Sequence, residues 1–302
     1  MKNPKISNQR QIASITRYTL NEGREKGLDV IDCDNGKIRF LLCESRALDI
    51  MQLWHKGENV SFISKNGFVA EKVPFLERFE GGMLYTCGLE SAGGREGFEQ
   101  HGTHHLKAAT VTRAECTDEG IVVEAYLRES ALFGRNLVFK RRIFTPYGSE
   151  TLNINDTIVN EGYTEGDYCI LYHINIGYPL LDAGAVIEGE ITERFPCTEL
   201  AKNTVDKALI IEEAVYPDET CYYLTVGKPE ISLINKQKGK KFTVCYSKDT
   251  LPEFLMWKSM VAGDYALGLE PLTTRLGKFF QYKHIPAGKS VEFSLTLSVN
   301  EI

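Results

Sequence analysis

From Val30 onward the chain alternates short apolar runs with turn residues, and most of the runs are too short for helices. Val30-Ile31 and the run 38–43 flank Asp34-Asn35-Gly36, where an Asn-Gly step supplies the positive φ angles of a tight hairpin turn. The same pattern predicts strands at 121–127, 137–144, 152–159, 170–176, 209–215, 222–226, 231–234 and 242–246, punctuated by turns such as Pro146-Tyr147-Gly148 and Glu161-Gly162. Near the C-terminus the alternation is clean, with Val291, Phe293, Leu295, Leu297 and Val299 on one face and Glu292, Ser294, Thr296 and Ser298 on the other. Only residues 8–23, where Ile12, Ile15 and Leu20 stand at roughly helical spacing ahead of a glycine, predict a short helix. Many consecutive strands with scarcely any helix predict an all-β fold, a large antiparallel β-sandwich with few short helices. No fixed-period repeat is visible, which argues against a propeller or β-helix.

A chain of 302 residues, 43% hydrophobic and 25% charged, can bury a large core. No Pro/Gly/Ser-rich linker or charge block divides it, so residues 1–302 read as one domain. Its 35 basic residues against 41 acidic ones give a net charge of −6, and the basic ones are scattered except at Lys140-Arg141-Arg142 and within 236–241. Both runs read as solvated strand or turn, and nucleic acid is excluded as a partner. No apolar stretch is long enough to span a bilayer and no apolar signal region follows the first lysines, so a cytoplasmic protein without a membrane partner is expected. The eight cysteines form no C-x-x-C pair and most sit in apolar runs, as buried reduced thiols do.

Two segments carry polar residues where a core-facing strand would be apolar. In 170–176, period two puts His173 and Asn175 on the face shared with Leu171, which is either a solvent face or the lining of a site. In 265–271, Ala266, Gly268 and Glu270 share a face: a carboxylate at the end of a small-residue floor, with Pro271 removing a donor from the ladder. The exposed strand end is the alternative reading. His101-Gly102-Thr103-His104-His105 holds three of the six histidines. It lacks an H-x-H pair and a nearby carboxylate at metal-site spacing, so no metal is assigned, and the segment reads as loop or core histidines or as polar groups lining a ligand site. Gly102 permits a turn that aims His101 into a cleft. Trp257 offers a flat apolar surface for a ligand and Lys258 a contact for an anionic group, against a core Trp with an outward Lys. Nucleophile elbow, phosphate loop and dinucleotide fingerprint are all missing. A carboxylate and histidines on a β scaffold suit acid–base chemistry with no cofactor.

Taken in order, 45–50, 81–89, His101-Gly102, 172–181 and Gly268-Leu269-Glu270-Pro271 resemble the aldose 1-epimerase-like (galactose mutarotase-like) family, in a bacterial branch of it. The resemblance implies that family's supersandwich and a small-molecule carbohydrate as ligand. It also implies a reaction in which a histidine protonates the ring oxygen of a pyranose while a glutamate removes the anomeric hydroxyl proton, so that the ring opens and recloses as the other anomer. On it, His173 is the general acid, Glu270 the general base and His101 a substrate contact; Asn175, beside His173 on the same face, is a further candidate contact. The sequence departs from the family pattern where an arginine is expected: 81–89 holds no G-R motif, leaving Arg46 and Arg95 as candidates for the role, and Thr103 follows His101-Gly102 in place of arginine.

The reading that follows is an isomerase interconverting the anomers of a monosaccharide or sugar derivative. Its alternatives are a carbohydrate-binding or regulatory module that turns over nothing, and another sugar chemistry on the same scaffold, such as isomerisation, lyase action or phosphosugar epimerisation. A homo-oligomer is compatible with all of them. Catalysis needs acid and base facing each other across a site one sugar ring wide.

Overall fold

Residues 4–302 are described by a computed structural model, in which the alternation of the sequence becomes two antiparallel sheets. The smaller sheet is a meander of β1 (Ser14–Thr19), β2 (Asp29–Asp34), β3 (Ile38–Cys43), β4 (Asp49–His55) and β5 (Glu58–Asn59). The larger contains β6 (Tyr85–Leu89), β7 (Thr110–Cys116), β8 (Gly120–Ser130), β9 (Asn136–Pro146), β10 (Thr151–Asn160), β11 (Gly166–Ile176) and β12 (Val186–Pro196). It continues with β13 (Thr220–Asn235), β14 (Lys240–Tyr246), β15 (Glu253–Val261), β16 (Asp264–Leu272), β17 (Lys283–Ile285) and β18 (Ser290–Glu301). Its order is β17-β11-β16-β15-β13-β14-β18-β10-β9-β8-β7, with β12 on β13 and β6 beside β11.

A sheet this wide does not stay open. Strand β13 carries it from one layer to the other: its first residues, Thr220 to Tyr223, pair with β15, and its last, Glu230 to Asn235, with β14. The layer of β11, β16 and β15 then packs on that of β18, β10 and β9. Tyr172 of β11 meets Phe293 of β18 edge-on at 6.2 Å, and its hydroxyl donates to Asp156 of β10 at 2.9 Å. One cluster of buried side chains runs from Ile31 and Phe40 of the small sheet through Val123 and Ile154 to Tyr172 and Leu269. The strands at 121–127, 137–144, 152–159, 170–176 and 242–246 all form, and Phe293, Leu295, Leu297 and Val299 are buried as their alternation requires.

Four expectations are corrected. Residues 8–23 form a turn of 3-10 helix and then the edge strand β1, because Ser14-Ile15-Thr16-Arg17-Tyr18-Thr19 is rich in β-branched and aromatic residues and pairs with β2. The runs 222–226 and 231–234 are two halves of β13, bridged where β12 shifts register. Residues 209–215 make no strand; their backbone is held by β-bridge and loop contacts, including Ile187 N–H to the Leu209 carbonyl at 2.8 Å. In the Lys140-Arg141-Arg142 run only the outer residues are solvated. Arg141 is buried and bridges Asp49 at 2.6 Å and Asp156 at 2.7 Å. The hairpin at Asp34-Asn35-Gly36 forms with positive φ at Gly36, while the Asn35 amide is buried against Thr145. All eight cysteines are free thiols; Cys33, Cys43, Cys87 and Cys169 are buried and Cys197 is exposed. Among the described residues no helix is long and apolar enough to cross a membrane.

Candidate functional site

Strands β11 and β16 run side by side, and the pairs Leu171↔Leu272 and Ile174↔Leu269 set a register that puts His173 across from Glu270. His173 Nε2 lies 3.2 Å from Glu270 Oε1. Both side chains point away from the Tyr172 core, to the face that a strand exposed on one side would give to solvent. Here that face is covered: His173 is 5% exposed, Asn175 0% and Glu270 1%. The cover comes from the segment leading into β6, pinned to the end of β11 by Phe62 N–H to the Asn175 carbonyl (3.0 Å) and Gly177 N–H to the Val60 carbonyl (3.0 Å).

Gly268, two residues before Glu270, makes room for the pair. A Cβ there would lie 2.3 Å from Glu270 Oε1 and 3.2 Å from His173 Cε1, so the small-residue floor is a steric requirement. Aromatic rings wall the pair in: Phe79 and Trp257 each stand 5.4 Å from the His173 ring, and 6.3 Å from each other in an edge-to-face contact. On their far side they line, with Phe62, a cleft of about 380 Å³ open to solvent. The pair therefore sits behind this cleft, with Phe79 and Trp257 between. At the rim Trp257 Nε1 donates to Glu219 at 2.6 Å.

His101 approaches from the other side, its ring 5.6 Å from that of His173 and 4.8 Å from that of Phe75. The backbone is left-handed at both His101 (φ 63°) and Gly102 (φ 75°), and a Cβ on Gly102 would fall 2.3 Å from the carbonyl oxygens of Gly88 and Ser91. The turn at Gly102 thus aims His101 at the site. Its Nδ1 donates to the Ala92 carbonyl at 3.2 Å, which fixes the tautomer and leaves Nε2 as an acceptor.

Burial dominates the electrostatics. It pulls His173 down to about 3, with His101 acting in the same direction and Asn175 weakly against, and pulls His101 down to about 4. It pushes Glu270 well above the usual carboxylate range, with the charge on Glu219 adding to the shift. Burial thus favours the neutral form of both groups. The 3.2 Å contact is off hydrogen-bond geometry, so Glu270 Oε1 has no partner. Seven buried side-chain polar atoms lack a partner among the described residues, and four of them are on this face: His173 Nδ1, Asn175 Oδ1, Glu270 Oε1 and the Tyr85 hydroxyl. Natural proteins rarely leave such atoms unpaired, and here four of the seven fall on one face.

Of the residues singled out from sequence, the structure brings together His173, Glu270, Asn175, His101 and Trp257. It does not bring Lys258. Alternation turns Lys258 away from Trp257, and its ammonium, which burial pulls down to about 8, donates to the carbonyls of Lys207, Ala208 and Ile210 at 2.7–3.2 Å. Arg46 likewise donates to the carbonyls of Ser45, Val69 and Ala70 and braces a loop. Arg95 lies over Phe280 and bonds the Glu90 carbonyl and Tyr282. The three clustered histidines separate: His104 pairs with Glu129 at 2.8 Å, and His105 bridges Asp49 and Glu80 in a buried polar network. Among the described residues no group of three or more His, Cys, Asp or Glu is placed to hold a metal ion. Sequence reasoning passed over Phe79, Glu219, Tyr85 and Arg78, which is buried beside the Phe75 ring and paired with Glu99 at 2.9 Å. Of these only Tyr85, opposite His173 in β6, carries a strand signal.

The family described as "Domain of unknown function (DUF4432)" matches residues 25–299. No match was found among curated proteins. Several solved structures share the fold. A protein provisionally named an aldose 1-epimerase, from Klebsiella pneumoniae subsp. pneumoniae, is 20% identical with a TM-score of 0.85, over 95% of this chain and 83% of that one. A galactose mutarotase-like protein from Clostridium acetobutylicum is 13% identical with a TM-score of 0.71, over 97% and 100%. A protein provisionally named a mutarotase, from Salmonella typhimurium, is 13% identical with a TM-score of 0.70, over 99% and 97%. At these identities the likeness establishes the fold, a galactose mutarotase-like sandwich.

Proposed function

We propose, for a chain that belongs to the DUF4432 family, a cofactor-independent mutarotase that interconverts the anomers of a monosaccharide. The observation that carries the reading is the buried His173–Glu270 pair with unpaired polar atoms around it; at 3.2 Å the two are closer than a sugar ring is wide, so they part as the sugar enters between them. Ring opening of a pyranose removes a proton from the anomeric hydroxyl and delivers one to the ring oxygen two bonds away. Glu270 as carboxylate takes the first and His173 as imidazolium gives the second. The neutral pair and the imidazolium–carboxylate pair hold the same number of protons and differ only in which group carries one. His101 Nε2 and Asn175 Oδ1 accept hydroxyl protons of the sugar, and Trp257 supports an apolar face of the ring. Because Phe79 and Trp257 stand between the cleft and the pair, the sugar enters as those rings part. The whole chain acts as one domain, since one core cluster joins both sheets.

The test is exchange spectroscopy of anomer interconversion on a panel of sugars, wild type against Glu270→Gln. Faster exchange of at least one sugar, lost in the variant, supports the reading. Binding without faster exchange favours a sugar-binding module instead.

A further inference from the structure

The charges around the cleft bear on what kind of sugar it takes. Three carboxylates line it, Asp218, Glu219 and Asp264, against one cation, Lys65. Lys65 Nζ is held by Asp264 at 2.7 Å, which leaves Asp218 and Glu219 without a counter-ion in the cleft. Their hydrogen bonds come from neutral donors: Asp218 accepts from the Glu219 N–H at 2.8 Å, and Glu219 from Trp257 Nε1 at 2.6 Å. The basic side chains deeper in the fold are already engaged, Arg78 by Glu99 and Lys258 by three carbonyls. No guanidinium lines the cleft among the described residues. Recognition of a phosphate or carboxylate relies on charge-assisted, preferably bidentate, donors, and this cleft offers acceptors in their place.

From this arrangement, and resting on the mutarotase reading of the same site, we infer that the cleft is set against anionic sugars and takes monosaccharides that are uncharged or carry an ammonium group. An anionic substituent brought between Trp257 and Glu219 meets a like charge with no cation beside it. It also disfavours ionisation of Glu270, whose proton Glu219 already helps to hold. An uncharged sugar meets neither penalty, and an ammonium group gains from Asp218 and Glu219.

The experiment compares exchange rates, as gain over buffer, for matched sets of one ring: the uncharged hexose, its 2-amino-2-deoxy derivative, its 6-phosphate and its uronic acid, in gluco, galacto and manno configurations. It is run at low and high salt with wild type and with Asp218→Asn/Asp264→Asn, which removes two rim charges and releases Lys65. The expected result is a gain for the uncharged or amino sugar about tenfold or more above that for the anionic ones at low salt, with the ratio narrowing by about threefold or more in the variant and at high salt. An anionic sugar exchanging as fast as or faster than its uncharged parent overturns the inference and leaves the mutarotase reading standing, as does a ratio that the variant leaves unchanged. If no sugar exchanges faster than in buffer, the mutarotase reading fails, and the charge preference is read from binding alone. Trp257 fluorescence in a Trp54→Phe background is then titrated with the same panel: tighter binding of the uncharged or amino forms supports the inference, while tighter binding of the anionic forms, or none at all, overturns it.

Discussion

His173 and Glu270 are cross-strand neighbours on β11 and β16, 3.2 Å apart, both buried, and not hydrogen-bonded to each other. A pair chosen for stability would be exposed, replaced by apolar residues, or locked by good hydrogen bonds. This one is none of these, and the strain falls on Glu270, whose ionised form is held back by burial and by Glu219.

Replacing Glu270 by Gln is therefore expected to stabilise the protein and, on the proposed mechanism, to abolish anomer exchange. A carboxyl whose folded-state pKa is raised contributes stability that is fully present below its unfolded value, about 4.3, and is lost as pH rises toward the folded value. Gln carries no such dependence. Thermal unfolding of Glu270→Gln should match wild type at pH 4 and exceed it by about 2–4 °C at pH 8. An equal or lower Tm at pH 8 contradicts the buried, uncompensated carboxyl.

The pH profile of exchange follows from the same pair. Burial takes His173 down to about 3 and Glu270 up, so the two macroscopic titrations are driven apart and the pair keeps one proton between them. The enzymatic gain is expected to show no acid-side inflection above about pH 5 and to fall on the alkaline side, where Glu270 ionises. An inflection near 6.5, the ordinary value for an exposed imidazole, would assign the acid to another group.

How much of this was legible in the sequence depended on distance along the chain. Alternation within a strand is local, and it put His173 beside Asn175 and Glu270 over Gly268. The same alternation rules out Trp257 and Lys258 facing one site, and it separates Arg141 from its solvated neighbours. What alternation does not carry is which strand lies next to which. That His173 meets Glu270 depends on the β11–β16 register, set by pairing between distant segments. Nor does it carry the cover: Phe62 and Phe79 lie on irregular backbone with no period to read, and Glu219 lies just ahead of β13, so the choice between a solvent face and a site stayed open until that cover was placed. The segment 209–215 misled for a related reason: Ile211 is buried and Leu209 packs on the core, but Ile210 and Val215 are exposed, and the Lys258 ammonium binds carbonyls just ahead of and within the segment.

Gly268 tests the close packing under the pair. Gly268→Ala places a methyl group where Glu270 Oε1 now lies, at 2.3 Å, and the carboxylate must move. A shift on the order of 1 Å at a reacting group lowers the exchange gain by about a hundredfold. The stability change is smaller, about 1–3 kcal/mol from overpacking. Activity retained within about threefold would mean that Glu270 has room to adjust and is not held in a fixed attack geometry.

Arg141 tests the buried network behind the site. It neutralises Asp49 and Asp156, both buried, and donates to Thr86 at 2.9 Å. Arg141→Met leaves Asp156 with only the Tyr172 hydroxyl and Asp49 with only His105 and Thr86, and should lower stability by about 3–5 kcal/mol by denaturant titration. Arg141→Lys recovers only part, because one ammonium does not reproduce a guanidinium that bridges two carboxylates. A loss below about 1 kcal/mol in the Met variant would show that the carboxylates find other partners.

Trp257 and Lys258 are adjacent in β15 and separate binding from support. Trp257 lies over His173 and lines the cleft, whereas Lys258 caps the carbonyls of Lys207, Ala208 and Ile210 on the other side. Trp257→Ala is expected to weaken sugar binding by about tenfold, the loss of a stacking surface, and to lower stability by about 1–3 kcal/mol as the wall over His173 is lost. Lys258→Met leaves three carbonyls short of a donor and is expected to lower stability by about 1–3 kcal/mol while changing sugar affinity less than about twofold. Calorimetric titration and thermal unfolding of both variants give the two readouts side by side. If Lys258→Met lost affinity with stability intact, the ammonium would have to swing from its carbonyls to the ligand, and the rim would then hold a usable cation that its geometry now keeps turned away.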